Sequence, residues 1–341
     1  MKKIKIGQIG IGHNHGAAVM HAVQKFPELF EVVGYAEPDL EWISRRADKD
    51  VYKNLPRMGV EELISRCDAM LIESDVWDLT KYAKLCVDAG LHVHMDKPAS
   101  GSLEEYKAVL DTAEEKNLVF QLGYMYRYNP AVRKTLELIR EGKLGELYSI
   151  NAEMSTYHPV GYKKWLTTFK GGIMYILGSH LLDLIVYILG KPNRVVPFLK
   201  HTGLDGVDFE DNNLVVLEYD KAIAKITVSS VEVNGYGRRQ FEVCGSKGTT
   251  SILPMENPSR MTYSDLEIAT ETYKQMEVPM DVEDLPPSCR YDDMMKDFYS
   301  YCMGEKENPF SYAHDYLVQE LLYEITGGWE DRPHLTEGLS N

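Results

Sequence analysis

A chain of 341 residues with 44% hydrophobic and 26% charged side chains carries apolar material for roughly two folded cores and is too evenly composed for disorder. Its formal net charge of -15 argues against nucleic acid or an anionic membrane as a partner, and leaves a small buried substrate open. Five cysteines with no Cys-x-x-Cys pair, and a Met1-Lys2-Lys3 start that runs into a strand-like stretch without a cleavage site, predict a reducing, cytoplasmic setting rather than a disulfide framework.

Apolar runs at Ile4 to Ile11, Phe30 to Ala36, Ala69 to Ile72, Leu91 to Met95 and Leu118 to Leu122 open the chain. They alternate with amphipathic stretches such as Ala17 to Phe26, Val76 to Ala89 and Leu103 to Lys116, the last capped by Ser102. The alternation predicts an α/β fold, a doubly wound parallel sheet forming a dinucleotide-binding Rossmann domain over residues 1–123.

Between the first run and the first helix lies Gly7-Gln8-Ile9-Gly10-Ile11-Gly12-His13-Asn14-His15-Gly16. Glycines are needed in such a loop where the backbone turns tightly and approaches a pyrophosphate facing a helix amino terminus. The Gly10, Gly12, Gly16 spacing is one residue longer than the usual fingerprint, and its strand-before, helix-after context supports the reading. Glu37 at the end of the next strand is placed to accept hydrogen bonds from ribose hydroxyls and to repel a 2′-phosphate. NAD is therefore favoured over NADP, with Arg45 and Arg46 keeping NADP open.

Asp96-Lys97-Pro98 follows the run Leu91, Val93, Met95 and leaves an ammonium at the mouth of a strand. In an open parallel sheet that mouth is where ligands bind. Two histidine pairs, His13-x-His15 and His92-x-His94, have alternate spacing but no visible set of further ligands, so no metal is expected.

From Asn129 the pattern changes to a helix ending near Gly142 and a long strand-like stretch from Leu147 to Tyr157. The apolar segment Gly171 to Gly190 carries His180 and Asp183 in its middle, which predicts a buried helix over 174–189 rather than a membrane span. Strands are then predicted at Arg194 to Leu199, Asn213 to Tyr219, Ala222 to Ser230, Arg239 to Cys244 and Thr249 to Leu253, several alternating with period two as in an open, mostly antiparallel sheet. Tight connections at Asp220-Lys221 and Gly245 to Gly248 suit hairpins. Helices at 291–303 and 311–326 and a polar tail complete a second α/β domain, 124–341. Tyr157, Lys164 and Trp165, with His158 and Tyr162, form a polar and aromatic segment suited to gripping hydroxyls and stacking on a sugar ring.

The glycine loop, Glu37 and Asp96-Lys97-Pro98, in this order, resemble the glucose-fructose oxidoreductase and inositol dehydrogenase family (Gfo/Idh/MocA). Arg127-Tyr128-Asn129-Pro130, Gly142-Lys143-Leu144-Gly145, Gly171-Gly172 leading to His180-Leu181-Leu182-Asp183, and Val243 to Gly248 extend the resemblance along nearly the whole chain. It implies a Rossmann domain and a second domain whose open sheet packs against another copy, as a homodimer or homotetramer. It also implies NAD contacts from Gly10, Gly12, His13, Asn14, Glu37, Ser74, Lys97, Pro98 and Arg127, with Lys97 touching both nicotinamide and substrate. Two positions depart from the family. Ile176 stands where an aspartate usually lies four residues before the histidine, and Glu73-Ser74-Asp75-Val76 replaces a usual Thr-Pro-Asn.

The reading that follows is an NAD-dependent dehydrogenase acting on a secondary alcohol of a sugar, cyclitol or related polyol. Lys97 would stabilise the alkoxide, His180 would be the base with Asp183 orienting it, and Ile176 would line the substrate. The alternatives are NAD-assisted elimination or glycoside cleavage without net redox change, and a non-catalytic NAD-linked sensor, both motivated by Ile176.

Overall fold

The computed structural model describes residues 2–256, 258–268, 277–280 and 289–330. The chain divides into two compact units, Met1–Met125 with Ser288–Gln319, and Tyr126–Pro287 with Glu320–Asn341. This corrects the expected division at residue 123 in one main respect. The segment 288–319, assigned from sequence to the second domain, packs with the first.

The first unit is built on a parallel sheet of β1 (Ile4–Ile9), β2 (Phe30–Ala36), β3 (Ala69–Ile72), β4 (His92–Met95) and β5 (Phe120–Leu122), in the order β2-β1-β3-β4-β5. All four pairings are parallel, and each strand occupies a run picked out by its apolar residues. The strand order reverses between β1 and β3, so the crevice for a ligand opens at the carboxyl ends of those two strands. Helix Leu103–Glu115 starts on a reciprocal cap between Ser102 and Glu105. Helix Cys289–Cys302 lies on helix Gly16–Gln24, with Met294, Met295 and Phe298 fully buried. Tyr291, Met294, Met295, Phe298 and Tyr299 recur at helical spacing, and their apolar stripe supplies the cover the sheet lacks on that side. Lys25 pairs with Asp292 at 2.9 Å and the Tyr299 hydroxyl donates to the Lys2 carbonyl at 3.0 Å.

The second unit carries an open eight-stranded sheet of β6 (Leu147–Glu153), β7 (Arg194–Lys200), β8 (Asn212–Glu218), β9 (Ile223–Ser229), β10 (Gln240–Gly245), β11 (Gly248–Ile252), β12 (Met261–Asp265) and β13 (Glu277–Met280). The order is β13-β12-β11-β10-β6-β9-β8-β7, antiparallel throughout except for the parallel pair β6 and β9. Period-two alternation buries Ile150, Ala152, Val215, Leu217, Ala224, Ile226, Val228, Phe241 and Val243 on one face, against helix Ser179–Leu189. The other face keeps Phe198, Leu214 and Ile223 exposed. β6 stops at Glu153 rather than Tyr157, and β12 and β13 extend the sheet beyond the strands predicted. The predicted polar tail lies outside the described residues beyond Glu330. Among the described residues no helix is long and apolar enough to cross a membrane, and Cys67, Cys86, Cys244 and Cys302 are free thiols.

Candidate functional site

At the carboxyl edge of the first sheet the glycine loop is held by close approach. Gly10 has φ of +86°, and a Cβ there would stand 2.2 Å from Ser74 Cα. A Cβ on Gly12 would stand 2.8 Å from Trp42 Nε1 and 3.0 Å from the Asp75 amide. Side chains are excluded at both positions, so the loop packs closely on Ser74, Trp42 and Asp75 and leads into the start of helix Gly16–Gln24, the place where a pyrophosphate binds in dinucleotide folds. The residues present therefore fit a dinucleotide.

Glu37 and Arg46 brace this loop. Glu37 Oε2 accepts the Ile11 amide at 2.6 Å and Oε1 accepts the Asp39 amide at 2.8 Å. Burial pushes its carboxyl up, and those two amides partly offset the rise. Arg46 donates to the carbonyls of Ile11 (3.2 Å) and His13 (2.6 Å) and to Asn14 Oδ1 (2.8 Å), with its guanidinium 4.6 Å from the Trp42 ring centre. Arg45 is paired with Glu41 at 2.6 Å. Asn14 is exposed, whereas Ser74 is buried and its hydroxyl donates to the Asp75 carbonyl at 3.1 Å.

Lys97 is only 2% exposed, follows β4 and precedes a cis peptide to Pro98. Its amide donates to Asp96 Oδ1 at 2.7 Å. Around Asp96 the fold gathers His13, His15, Glu73 and His94, a constellation that the sequence scatters over three strand ends. Burial alone would raise the Asp96 carboxyl, but His13 and His15 facing it hold it well below the usual range. Glu73 is driven the other way, well above the ordinary carboxyl value, by burial first and by the Asp96 charge second. Burial lowers His94 to about 4, and its Nδ1 lies 2.9 Å from Gln121 Oε1. The neighbouring pair member His92 accepts the Val119 amide on Nδ1 at 2.9 Å.

In the second unit His180 is the second residue of helix Ser179–Leu189, 1% exposed, with the Tyr126 ring edge-on at 4.9 Å. Asp183, expected to orient that imidazole, accepts Arg127 Nε at 2.9 Å and Nη2 at 2.6 Å, so both carboxylate oxygens are engaged by the guanidinium. Arg127, expected to contact the cofactor, is thus fully buried in this ion pair. Met174–Gly178 forms a π-helical turn, so the α-helical spacing that placed Ile176 on the face of His180 does not hold across it. Ile176 is buried.

The expected sugar-gripping segment divides. Lys164 is exposed, and the buried neighbour Lys163 instead lies 2.5 Å from Asp205 and 4.7 Å from the Tyr157 ring centre. Tyr157 is half exposed, and Trp165 packs between Tyr162 and Phe169 at 5.1 and 4.9 Å. His158 stacks on Tyr162 at 4.4 Å, and burial, with the Arg239 and Lys163 charges, lowers it to about 4. Sequence reasoning missed Arg239, which donates to Glu256 (2.6 Å), the Tyr126 hydroxyl (2.9 Å) and Thr156 Oγ1 (2.6 Å), because its partners lie far along the chain. The first unit therefore gathers Gly10, Gly12, His13, Asn14, Glu37, Ser74, Lys97 and Pro98, and the second holds Arg127, Tyr157, Lys164, Trp165, Ile176 and His180.

Residues 4–124 match an oxidoreductase family with an NAD-binding Rossmann fold, and residues 132–251 match the GFO/IDH/MocA C-terminal domain. The chain belongs to the Gfo/Idh/MocA oxidoreductase family. Among curated members, the levoglucosan dehydrogenase of Pseudarthrobacter phenanthrenivorans is 23% identical over 73% of this chain and 73% of its own length. The D-xylose 1-dehydrogenase (NADP(+)) 2 of Haloferax volcanii is 27% identical over 56% of this chain and 60% of its own length. Among solved structures, an oxidoreductase from Agrobacterium radiobacter in complex with NAD+, L-tartaric acid and magnesium aligns with a TM-score of 0.81 at 16% identity, covering 96% of this chain and 97% of that one. UDP-N-acetylglucosamine 3-dehydrogenase from Acidithiobacillus ferrooxidans aligns with a TM-score of 0.77 at 17% identity, covering 96% and 98%. At these identities the Gfo/Idh/MocA structures establish the shared fold, an open α/β architecture with no closed barrel.

Proposed function

We propose that this Gfo/Idh/MocA protein is an NAD-dependent dehydrogenase acting on a secondary alcohol of a sugar, cyclitol or related polyol. The observation that carries the reading is a buried lysine, Lys97, in the same compact unit as a glycine loop whose close contacts admit no side chain. The curated relatives support the substrate class, being named for oxidation of D-xylose, levoglucosan and an inositol.

NAD, when bound, supplies the hydride acceptor. The glycine loop would hold the pyrophosphate at the helix start, and Glu37 offers carboxylate oxygens to the ribose. Glu37 disfavours a 2′-phosphate, and Arg46 is already engaged by two loop carbonyls and Asn14, which supports NAD over NADP. The Lys97 ammonium donates to the substrate oxygen and stabilises charge as the alkoxide develops. The His180 imidazole accepts the hydroxyl proton as the general base. The exposed apolar residues Phe198, Leu214 and Ile223 support assembly with a second copy through the outer sheet face.

The test is titration of the purified chain with NAD and NADP, followed by a panel of sugars and polyols watched at the reduced-nicotinamide absorbance band. Tighter binding of NAD and turnover of at least one polyol are expected. Absence of any absorbance change across the panel refutes the dehydrogenase. A second reading rests on Ile176, which removes the carboxylate usual at that position: transient oxidation would promote elimination at a neighbouring carbon, with product formed under sub-stoichiometric NAD and no reducing equivalents consumed.

A further inference from the structure

The fold gives the histidine pair of the glycine loop the further ligands that its sequence neighbourhood lacks. His13 Nδ1 and His15 Nδ1 each lie 3.0 Å from Asp96 Oδ2, and one donor atom from each of the three residues falls within 4.8 Å of the others. Glu73 Oε2 is 3.7 Å from His13 Nδ1, and neither Glu73 oxygen has a hydrogen-bond partner although the residue is 0% exposed. A carboxylate buried in that state is costly unless a positive charge neutralises it.

The local hydrogen bonding points the same way. An imidazole nitrogen has a single in-plane position, which either carries a hydrogen or offers a lone pair. The His15 amide donates to His13 Nδ1 at 3.3 Å, which uses that nitrogen as an acceptor, while the same atom faces the Asp96 carboxylate at 3.0 Å. A proton on His13 Nδ1 donated to Asp96, or a cation between the two, would join them, and a cation there takes the lone pair that the His15 amide uses.

We propose that His13, His15 and Asp96 form a binding site for a divalent transition-metal ion of the zinc or cobalt class, with Glu73, which faces His13 at 3.7 Å from outside that close cluster, drawn in as the fourth ligand. Two imidazoles and two carboxylates are a four-ligand set that suits zinc, whereas magnesium and calcium favour all-oxygen shells. Glu73 and Asp96 directly follow β3 and β4, and His13 and His15 lie in the glycine loop that Glu37 and Arg46 brace. An outer partner is present as well: His94 Nε2 faces Glu73 Oε1 at 3.7 Å, and its other ring nitrogen is fixed by Gln121. This site does not depend on the dehydrogenase reading, and a cation there would sit beside the glycine loop whatever reaction the protein performs.

The experiment uses the full chain, stripped with a chelator and titrated with zinc by calorimetry and with cobalt by visible absorption. One equivalent per chain is expected, with cobalt bands of a four-coordinate nitrogen and oxygen site. His15→Ala and Asp96→Asn should each weaken binding by more than about a hundredfold, beyond the 10–100-fold usual for loss of an outer partner. His15 is partly exposed at a helix start, so His15→Ala remains informative even if Asp96→Asn misfolds. His201, an exposed histidine flanked by Asp208 and Glu210, is the surface control, and His201→Ala should leave binding unchanged. Absence of micromolar binding, binding unaffected by His15→Ala, or binding abolished by His201→Ala overturns the proposal. NAD affinity is measured separately, so failure of the cofactor reading with the metal retained is a distinct result.

Discussion

Replacing Lys97 by alanine removes an ammonium from a 2% exposed position. If the lysine serves the developing alkoxide, turnover should fall about 10²–10³-fold while the circular dichroism of the folded chain is kept. A variant that keeps its turnover and loses stability would make Lys97 a structural residue. His158 is suited to a pH test. Its folded value of about 4 lies below the ordinary 6.5, so across that window the unfolded chain takes up a proton that the folded chain refuses. Stability should therefore fall as pH drops from 6.5 towards 4, and His158→Gln should flatten this slope in denaturant titrations at each pH. Residues such as Gly10, Glu37 and Lys97 are legible in sequence because a short local pattern marks each of them: the glycine loop, the acid at a strand end and Asp96-Lys97-Pro98. Glu73, His94 and Asp96 are not, because parallel pairing of β3 and β4 brings them together across intervening helices.

Among elements, the strands of the first sheet announce themselves as short apolar runs, since strands covered on both faces have no polar side to show. Helix Cys289–Cys302 is equally visible as a helix, but nothing in its own period says which unit its stripe covers. Its allegiance is set by partners more than 250 positions upstream, among them Lys25 paired with Asp292. Phe298 is fully buried on this helix, with its ring 6.1 Å from that of His94. Phe298→Ala should destabilise the protein by about 3–5 kcal/mol, read as a shift in the denaturant midpoint. A loss under 1 kcal/mol would mean that the helix contributes little to the first unit. The π-helical turn at Met174–Gly178 is likewise invisible to a reading that counts fours.

For the whole molecule, the exposed side chains of the outer sheet face bear on assembly. Phe198 and Leu214 are directly opposite each other on β7 and β8, so their apolar surface is contiguous across two strands. A Phe198→Glu substitution should shift the protein to a smaller species in sedimentation equilibrium without altering its circular dichroism. An unchanged mass would place any interface elsewhere. The parallel pair β6 and β9 has a different consequence. The turns that join β7, β8 and β9, and β10 and β11, can form from nearby residues, but β6 meets β9 (Ser149 opposite Ile223) only after about seventy residues have been looped out, and β10 (Glu153 opposite Gln240) only after about ninety. Chain-closure entropy makes the docking of β6 between β9 and β10 the slow step in assembling the sheet, and two locally folded meanders waiting for that strand are the species a refolding experiment should accumulate.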